Sequence, residues 1–293
     1  MGRFRGVRTA MVNQATYTSI VVHVDLGSAA QRRVAVASEL ATRFGARLRG
    51  VAAEAPFPSR SRERVVTLPE QFGEHERRWA AEEFDRVAKE LKQAEALFRG
   101  SAGTSRLEWR SEAQECPAFL IEQSSPGDLV VVGRQRGDEG AYSRVGISLT
   151  RVLLNLSCPM LLVPPNISEL SAGRIIVAWN GSEEVMRAVS GAMPFLQQAR
   201  QVILVSIEGG SGALLRADVV AHLKHEGVRD VSLVHVSRRT ASVASHIFEV
   251  SRDEGADLIV AGAYGHSPMR EWLFGGTTRE LLSESTVCCL LAR

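Results

Sequence analysis

The chain repeats itself at a fixed distance. The segment GDLVVVG (127–133) reappears as ADLIVAG (256–262), which lies 129 positions further along. Gly146 and Gly275 keep the same distance. A repeat of this length means that one supersecondary unit occurs twice, so both halves of the chain are expected to fold in the same way.

The first half of the repeat is the longer one. Upstream, IVVHVDLGSA and IIVAWNGSEE match at a distance of 155, which pairs Asp25 with Asn180. The change from 155 to 129 means that the first half carries 26 residues that the second lacks. They fall between positions 55 and 100, where a Pro-, Ser- and Arg-containing loop leads into a long charged helix predicted over roughly Pro69 to Phe98.

Apolar patterning predicts the fold class. Near-continuous apolar runs such as 129–132 and 175–177 are typical of parallel strands that are covered on both faces. Helical spacing of apolar residues marks 29–44 and 183–198. Each half reads strand, helix, strand, helix, strand, helix, strand, loop, helix, strand. We therefore expect an α/β protein of two tandem doubly wound (Rossmann-like) domains, each a five-stranded parallel sheet with helices on both faces.

The expected domain organisation follows from the limits of the repeat. Residues 1–16 are a loose polar leader, residues 17–164 the first domain, residues 165–172 a short linker and residues 173–293 the second domain. At 293 residues, both domains are long enough to bury a core. Because the linker is short and contains proline, the two domains are expected to pack on each other like a dimer within one chain.

Composition argues against several classes of partner. No apolar run reaches the ~18 residues that span a bilayer, so no membrane partner is expected. The net charge of +2 shows no basic excess of the kind that marks a nucleic-acid surface. Four cysteines without C-x-x-C spacing favour buried thiols in a reducing cytoplasm over a zinc site, and adjacent Cys288 and Cys289 are expected on opposite sides of a strand.

The second half contains a glycine-rich loop after a predicted strand. Glycine lets the backbone approach a phosphate closely, and the first N–H groups of the following helix are unpaired and point toward such an anion. Asn180, at the end of another strand, is expected to open onto the same crevice. The candidate site residues are Asn180, Gly262, Gly265, Gly275, Gly276, Thr277 and Thr278.

This loop resembles the nucleotide loop of the ATP-binding branch of the universal stress protein family, written G-x2-G-x9-G-[ST]. Gly276 departs from that pattern, because it stands where the branch has Ser or Thr, and the hydroxyls follow at Thr277 and Thr278. The resemblance covers both halves and implies ATP or AMP as ligand, with no metal site other than magnesium carried by the nucleotide. It also implies that the aspartate matched by Asp25, which is Asn180 in the second half, contacts the nucleoside.

The first half keeps the aspartate and loses the loop. Arg136 stands at the position of Gly265, and Ile147 at that of Gly276. An arginine side chain crowds the backbone approach that a phosphate needs, so the site in the first half is expected to be degenerate, with its loop arginines solvated or at an interface. The second half is therefore the better nucleotide candidate.

Three functions remain open on the sequence. The first is a cytoplasmic stress-response regulatory protein that binds an adenine nucleotide in its second domain. The second is a nucleotide-independent interaction module with an unknown protein partner, and the third a weak ATPase. No Walker lysine motif or G-x-S-x-G elbow is present, so no catalytic constellation is visible. In the family the last strands often pair across a dimer interface, so Met160–Val163 and Cys289–Ala292 are expected to pair within the chain or to mediate self-association.

Overall fold

Ten strands form one sheet in the part of the chain that the computed structural model describes. The described residues are 16–56, 74–103, 106–134, 147–207, 213–236, 242–263 and 276–293. The strands are β1 (Ser19–His23), β2 (Arg47–Ala53), β3 (Leu107–Glu112), β4 (Leu129–Gly133), β5 (Met160–Val163), β6 (Arg174–Ala178), β7 (Gln201–Ile207), β8 (Val231–Val236), β9 (Leu258–Gly262) and β10 (Cys288–Ala292).

Helices connect the strands. They are α1 (Ala30–Phe44), α2 (Glu74–Ser101), α3 (Cys116–Glu122), α4 (Leu149–Asn155), α5 (Glu183–Leu196), α6 (Ala213–His225), α7 (Val243–Asp253) and α8 (Gly276–Glu284). Serine side chains at positions 148, 182 and 242 accept a hydrogen bond from the backbone N–H three residues later and so cap α4, α5 and α7. Gly45, with φ of 64°, ends α1 in the left-handed conformation.

The sheet has the two-fold character that the repeat predicts. Its order is β3-β2-β1-β4-β5-β10-β9-β6-β7-β8, so the two halves mirror each other around the β5–β10 pair. Strands within each half are parallel, as the doubly wound fold requires. The predicted fold class of two tandem α/β domains is confirmed, and the two five-stranded sheets are joined edge to edge.

The last strands of the two halves pair with each other inside the chain. β5 and β10 run antiparallel, with Leu162 opposite Cys289 and Met160 opposite Leu291. Each of them also has a parallel neighbour on its other side, β4 for β5 and β9 for β10. The expectation of self-association between chains through these strands is therefore corrected, because neither strand keeps an open edge for a second chain.

Helices cover both faces of the sheet. Helices α1, α2, α5 and α6 contribute to one apolar cluster, which runs through both halves. Helices α3, α4, α7 and α8 contribute to the other. Cys288 belongs to the first cluster and Cys289 to the second, which confirms that neighbouring residues of this strand face opposite sides.

The two halves also pack through the ends of α1 and α5. The rings of Phe44 and Phe195 meet edge to face at 5.0 Å. Tyr17 donates a hydrogen bond to the carbonyl of Gly191 over 2.7 Å, and the Arg43 guanidinium lies 5.8 Å from the Phe195 ring centre. An aromatic contact of this kind stabilises the domain boundary by about 1 kcal/mol beyond the apolar area it buries.

The long inserted helix is present with shifted limits. It runs as α2 from Glu74 to Ser101, so it ends three residues later than expected, and its expected first residues lie outside the described part of the chain. Phe98 near its end is fully buried and packs on Trp109 and Gly50 of the sheet. None of the helices in the described residues has the length and apolar character needed to cross a membrane.

Candidate functional site

The ends of β6 and β9 lie side by side, at the place where the sequence predicts a crevice in the second domain. The two strands are neighbours, with Ala178 opposite Ala261. Asn180 follows β6 by two residues, and Gly262 is the last residue of β9. The chain leaves β6 toward β7 on one side, while β9 lies on the other, so this is the point at which connections diverge and ligands of doubly wound sheets bind.

Asn180 is exposed and shapes the turn into α5. Its Oδ1 accepts a hydrogen bond from the N–H of Ser182 over 3.1 Å. Gly181 between them has φ of 75°, a conformation that favours glycine. One side-chain oxygen therefore organises the turn, and the amide group as a whole stands at the solvent side of the crevice.

Gly262 serves the packing of α5 on β9. A Cβ at this position would lie 2.5 Å from the backbone nitrogen of Val185 and 2.7 Å from the carbonyl carbon of Glu184. The first turn of α5 thus lies directly against the strand end, which no other residue type permits without a backbone shift. Glu184 is buried there, and its carboxylate pairs with Arg187 at 3.2 Å.

Gly276 is the first residue of α8 as the structure describes it. Among the described residues, the atom nearest to a Cβ built at Gly276 is Oε1 of Glu280, at 3.8 Å. The side chain of Thr277 is partly exposed, whereas that of Thr278 is buried, with 2% exposed. The sequence left open which of the two threonines would contact a terminal phosphate. Of the two, only Thr277 is accessible to a ligand. Gly265 and Gly275 lie outside the described residues.

The equivalent crevice of the first domain contains an arginine that sequence reasoning did not identify. Arg33 of α1 donates from Nε to the carbonyl of His23 over 2.8 Å, and its Nη2 lies 2.8 Å from a carboxylate oxygen of Asp25. Its side chain is 5% exposed. The aspartate expected to contact a nucleoside is therefore already paired within the domain. The sequence contains one sign of this difference between the domains, because Ala188 of the second half occupies the position that Arg33 has in the first.

The charges around Arg33 are balanced locally. Burial tends to raise the pKa of Asp25, but Arg33, His23 and the N–H of Gly27 together hold it below its usual value. Burial lowers the pKa of His23 to about 4, with Asp25 opposing and Arg33 adding to the effect. At neutral pH His23 is uncharged, so the group of His23, Asp25 and Arg33 carries no net charge.

No group of three His, Cys, Asp or Glu side chains within the described ranges is arranged to hold a metal ion. Arg134, from the loop expected to be degenerate, lies at the boundary of the two domains, where it donates to the carbonyl of Ser283. Arg136 and Arg144 fall outside the described part of the chain.

Comparison with known proteins identifies the family. The model of the universal stress protein family matches residues 16–164 and 172–293. The chain belongs to the universal stress protein family. It carries two such domains in tandem, as the repeat predicts.

Individual relatives are distant. Universal stress protein Slr1230 of Synechocystis sp. is 20% identical over 173 residues, which span 57% of this chain and 58% of that protein. A universal stress protein from Archaeoglobus fulgidus DSM 4304 superposes with a TM-score of 0.64 at 13% identity, covering 94% of this chain and 98% of the other. A putative universal stress protein from Pseudomonas aeruginosa UCBPP-PA14 gives a TM-score of 0.51 at 14% identity, covering 95% and 94%. At these identities the structural matches show the fold alone.

Proposed function

We propose that this universal stress protein is a cytoplasmic stress-response regulator that binds an adenine nucleotide, ATP or AMP, in its second domain. The observation that carries the proposal is the position between the neighbouring strands β6 and β9, where exposed Asn180 follows the end of one strand and Gly262 is the end of the other. The amide of Asn180 is suited to the hydroxyls or the amino group of a nucleoside.

The phosphates would lie at the start of α8. Unpaired N–H groups and the positive end of the helix dipole favour an anion there. Gly276 leaves room for close approach, and Thr277 supplies the hydroxyl for the terminal phosphate. Gly265 and Gly275, which complete the loop in the sequence, are proposed to take the intervening backbone contacts. Magnesium would enter with the nucleotide.

The test is calorimetry of the purified protein with ATP and with AMP, in the presence of magnesium. One site per chain is expected, and mass spectrometry of the protein as purified would reveal nucleotide already bound. Gly265→Arg copies the residue of the first half and is expected to abolish binding, since the side chain would block the backbone approach. Absence of binding to the wild type at millimolar nucleotide contradicts the proposal.

A matched pair of variants locates the phosphate end. Thr277 and Ser148 occupy equivalent positions of the two repeats. Thr277→Ala should weaken ATP binding about tenfold, the effect of losing one hydrogen bond to a charged group. Ser148→Ala should cost about 1 kcal/mol of stability through the lost cap of α4 and leave nucleotide affinity unchanged. Equal losses of affinity in both variants would argue against a phosphate at Thr277.

A second candidate function is a nucleotide-independent interaction module. Helix α2, which has 28 residues where its counterpart α6 has 13, carries Trp79 and Phe84 with 45% and 49% of their surfaces exposed. Large aromatic side chains at the surface are typical of binding anchors. The same calorimetry separates the two candidates, because the interaction module requires no nucleotide.

The third function that the sequence leaves open is a weak ATPase. Phosphate release that disappears in a Thr277→Ala and Thr278→Ala double variant would support it.

A further inference from the structure

Arg33 lies at the point of the first domain where a ligand of this fold would bind. Its helix, α1, follows β1, and its guanidinium reaches back to the carboxyl ends of the strands. It contacts the carbonyl of His23 at the end of β1 and the carboxylate of Asp25 beyond it. β1 and β4 are neighbours, and the connections diverge there in the same way as at β6 and β9.

The guanidinium also covers the end of β4. A Cβ built on Gly133, the last residue of that strand, would collide with Nη1 of Arg33, and the three nearest atoms all belong to this arginine. The Arg33 side chain therefore spans the crevice from one strand end to the other. Because Gly133 has no side chain, the Arg33 guanidinium fits against the end of β4.

The second domain lacks this arrangement. Ala188 matches Arg33 in the repeat, and Gly262 matches Gly133. The atoms nearest to a Cβ on Gly262 belong to Glu184 and Val185 in the first turn of α5, so the helix itself packs on the strand end. Ala188 carries no charge, so position 188 supplies no internal cation to the crevice above Asn180.

We infer that Arg33 closes the nucleoside crevice of the first domain from inside, so that this domain binds no nucleoside as long as the guanidinium is paired with Asp25. The arginine satisfies the acceptors that a ligand would otherwise use, namely the Asp25 carboxylate and the His23 carbonyl. With the guanidinium removed, the same acceptors suit the hydroxyl and amino donors of a nucleoside. Arg33 thus determines whether the first domain can bind a nucleoside in addition to the second.

This inference concerns the first domain and goes beyond the function proposed for the second. Its test counts adenosine sites per chain by calorimetry in the wild type, Arg33→Ala and Arg32→Ala. Arg32 is the matched control, because it is the neighbouring arginine but reaches the carbonyl of Pro165. Arg33→Ala is expected to have one site more than the wild type, and Arg32→Ala the same number. The number of sites in the wild type tests the function proposed for the second domain. The additional site in Arg33→Ala tests the inference about the first domain, whether the wild type has one site or none.

A companion variant protects the test against misfolding. Arg33→Ala leaves the Asp25 carboxylate unpaired, which destabilises the domain. The double variant Arg33→Ala with Asp25→Asn removes that charge and reproduces the pair Ala188 and Asn180 of the second domain. It is also expected to have one additional adenosine site. Arg33→Lys, which retains the cation, should remain closed. If both alanine-containing variants keep the circular dichroism spectrum of the wild type and have no additional site, the inference is wrong.

Discussion

Arg134 of the first domain donates a hydrogen bond from Nη1 to the carbonyl of Ser283 in the second, over 2.6 Å. The reverse contact is also present, since Arg293 donates from Nη1 to the carbonyl of Leu154 over 2.6 Å. Leu154 and Ser283 are equivalent positions of the repeat, each the last but one residue of its helix, α4 or α8. Carbonyls at helix C-termini have no partner within the helix, and a cation there is favourable. Each domain thus caps a helix of the other.

Removal of either capping arginine should weaken the domain boundary. Arg134→Ala and Arg293→Ala are each expected to lower the free energy of unfolding by about 1 kcal/mol, since both lose a charged hydrogen bond that is partly exposed to solvent. Urea unfolding followed by circular dichroism measures the change. Arg252→Ala is the control, because this exposed arginine of α7 lies outside the boundary contacts, and it should change stability by less than about 0.5 kcal/mol. A loss in Arg252→Ala equal to that of the capping variants would contradict the assignment.

Three glycines should respond differently to alanine. Gly262→Ala places a methyl group against the backbone of α5, which cannot move freely, and is expected to cost ~1–3 kcal/mol. Gly133→Ala instead displaces the Arg33 side chain and breaks its pair with Asp25. Among the described residues, the methyl group of Gly276→Ala would come no closer than 3.8 Å to Glu280, so this variant should be neutral or stabilise by up to ~1 kcal/mol.

Thermal unfolding of the three glycine variants, together with ATP titration, separates packing from ligand approach. Gly276→Ala is the informative case, because its stability is expected to be retained while its ATP affinity falls. A Gly262→Ala variant as stable as the wild type would show that α5 does not require the close contact with β9.

The carboxylates around Arg86 should make the docking of α2 dependent on pH. Arg86 lies 2.8 Å from Glu54 after β2, 2.9 Å from Glu90 and 3.1 Å from Glu83 of its own helix. Burial raises the pKa of Glu54 from 4.5 to about 7, with the neighbouring Glu90 carboxyl adding to the rise and Arg86 opposing it. The folded protein therefore holds this proton more tightly than the unfolded chain.

The direction in which stability changes with pH follows from the raised pKa of Glu54. The stability that protonated Glu54 contributes is fully present below a pH of about 4.5 and is lost as the pH rises through about 7. Glu54→Gln keeps the shape without the proton exchange, so its free energy of unfolding should fall less than that of the wild type between about pH 5 and about pH 8. Glu95→Gln, in an exposed pair with Arg99 on the same helix, is the control and should keep the wild-type slope. An unchanged slope in Glu54→Gln would rule out this carboxyl as the cause.

The four cysteines are expected to be inert in the folded protein. All four are free and buried. Burial raises the pKa of Cys116, Cys158 and Cys289 to about 12, and that of Cys288 is raised as well. Since only the thiolate reacts, a disulfide reagent at neutral pH should label none of them rapidly in the native state and all four in urea. Rapid labelling of the native protein would contradict the burial of these four thiols.

Much of this organisation could be read from residue patterns. The equal spacing of Gly133 and Gly262 predicted two copies of one fold, because a repeated pattern of buried and exposed residues has the same packing solution each time. Apolar runs located the strands, and the order of strands and helices placed Asn180 and Gly262 at one crevice. These features depend on local periodicity and on general rules for parallel sheets, which act within a single repeat.

Other features required the tertiary structure. The choice of β5 and β10 to pair within the chain depends on two edges separated by more than a hundred residues, and the local pattern is the same for pairing within or between chains. The sequence left that alternative open. Thr277 and Thr278 are chemically alike, and only the packing of α8 shows which hydroxyl is buried.

The two crevices also differ in a way that only partly follows from the sequence. By itself, the sequence determined that one glycine loop was retained and its counterpart lost. The role of Arg33 could not be read there, because a basic residue in the first turn of a helix usually lies in solvent. Only the fold brings the carbonyl of His23, the carboxylate of Asp25 and the bare backbone of Gly133 around its guanidinium. Burial of that charge is possible because the carbonyl and the carboxylate pair with it while Gly133 leaves space for it, and such a coincidence is a property of three-dimensional packing rather than of sequence spacing.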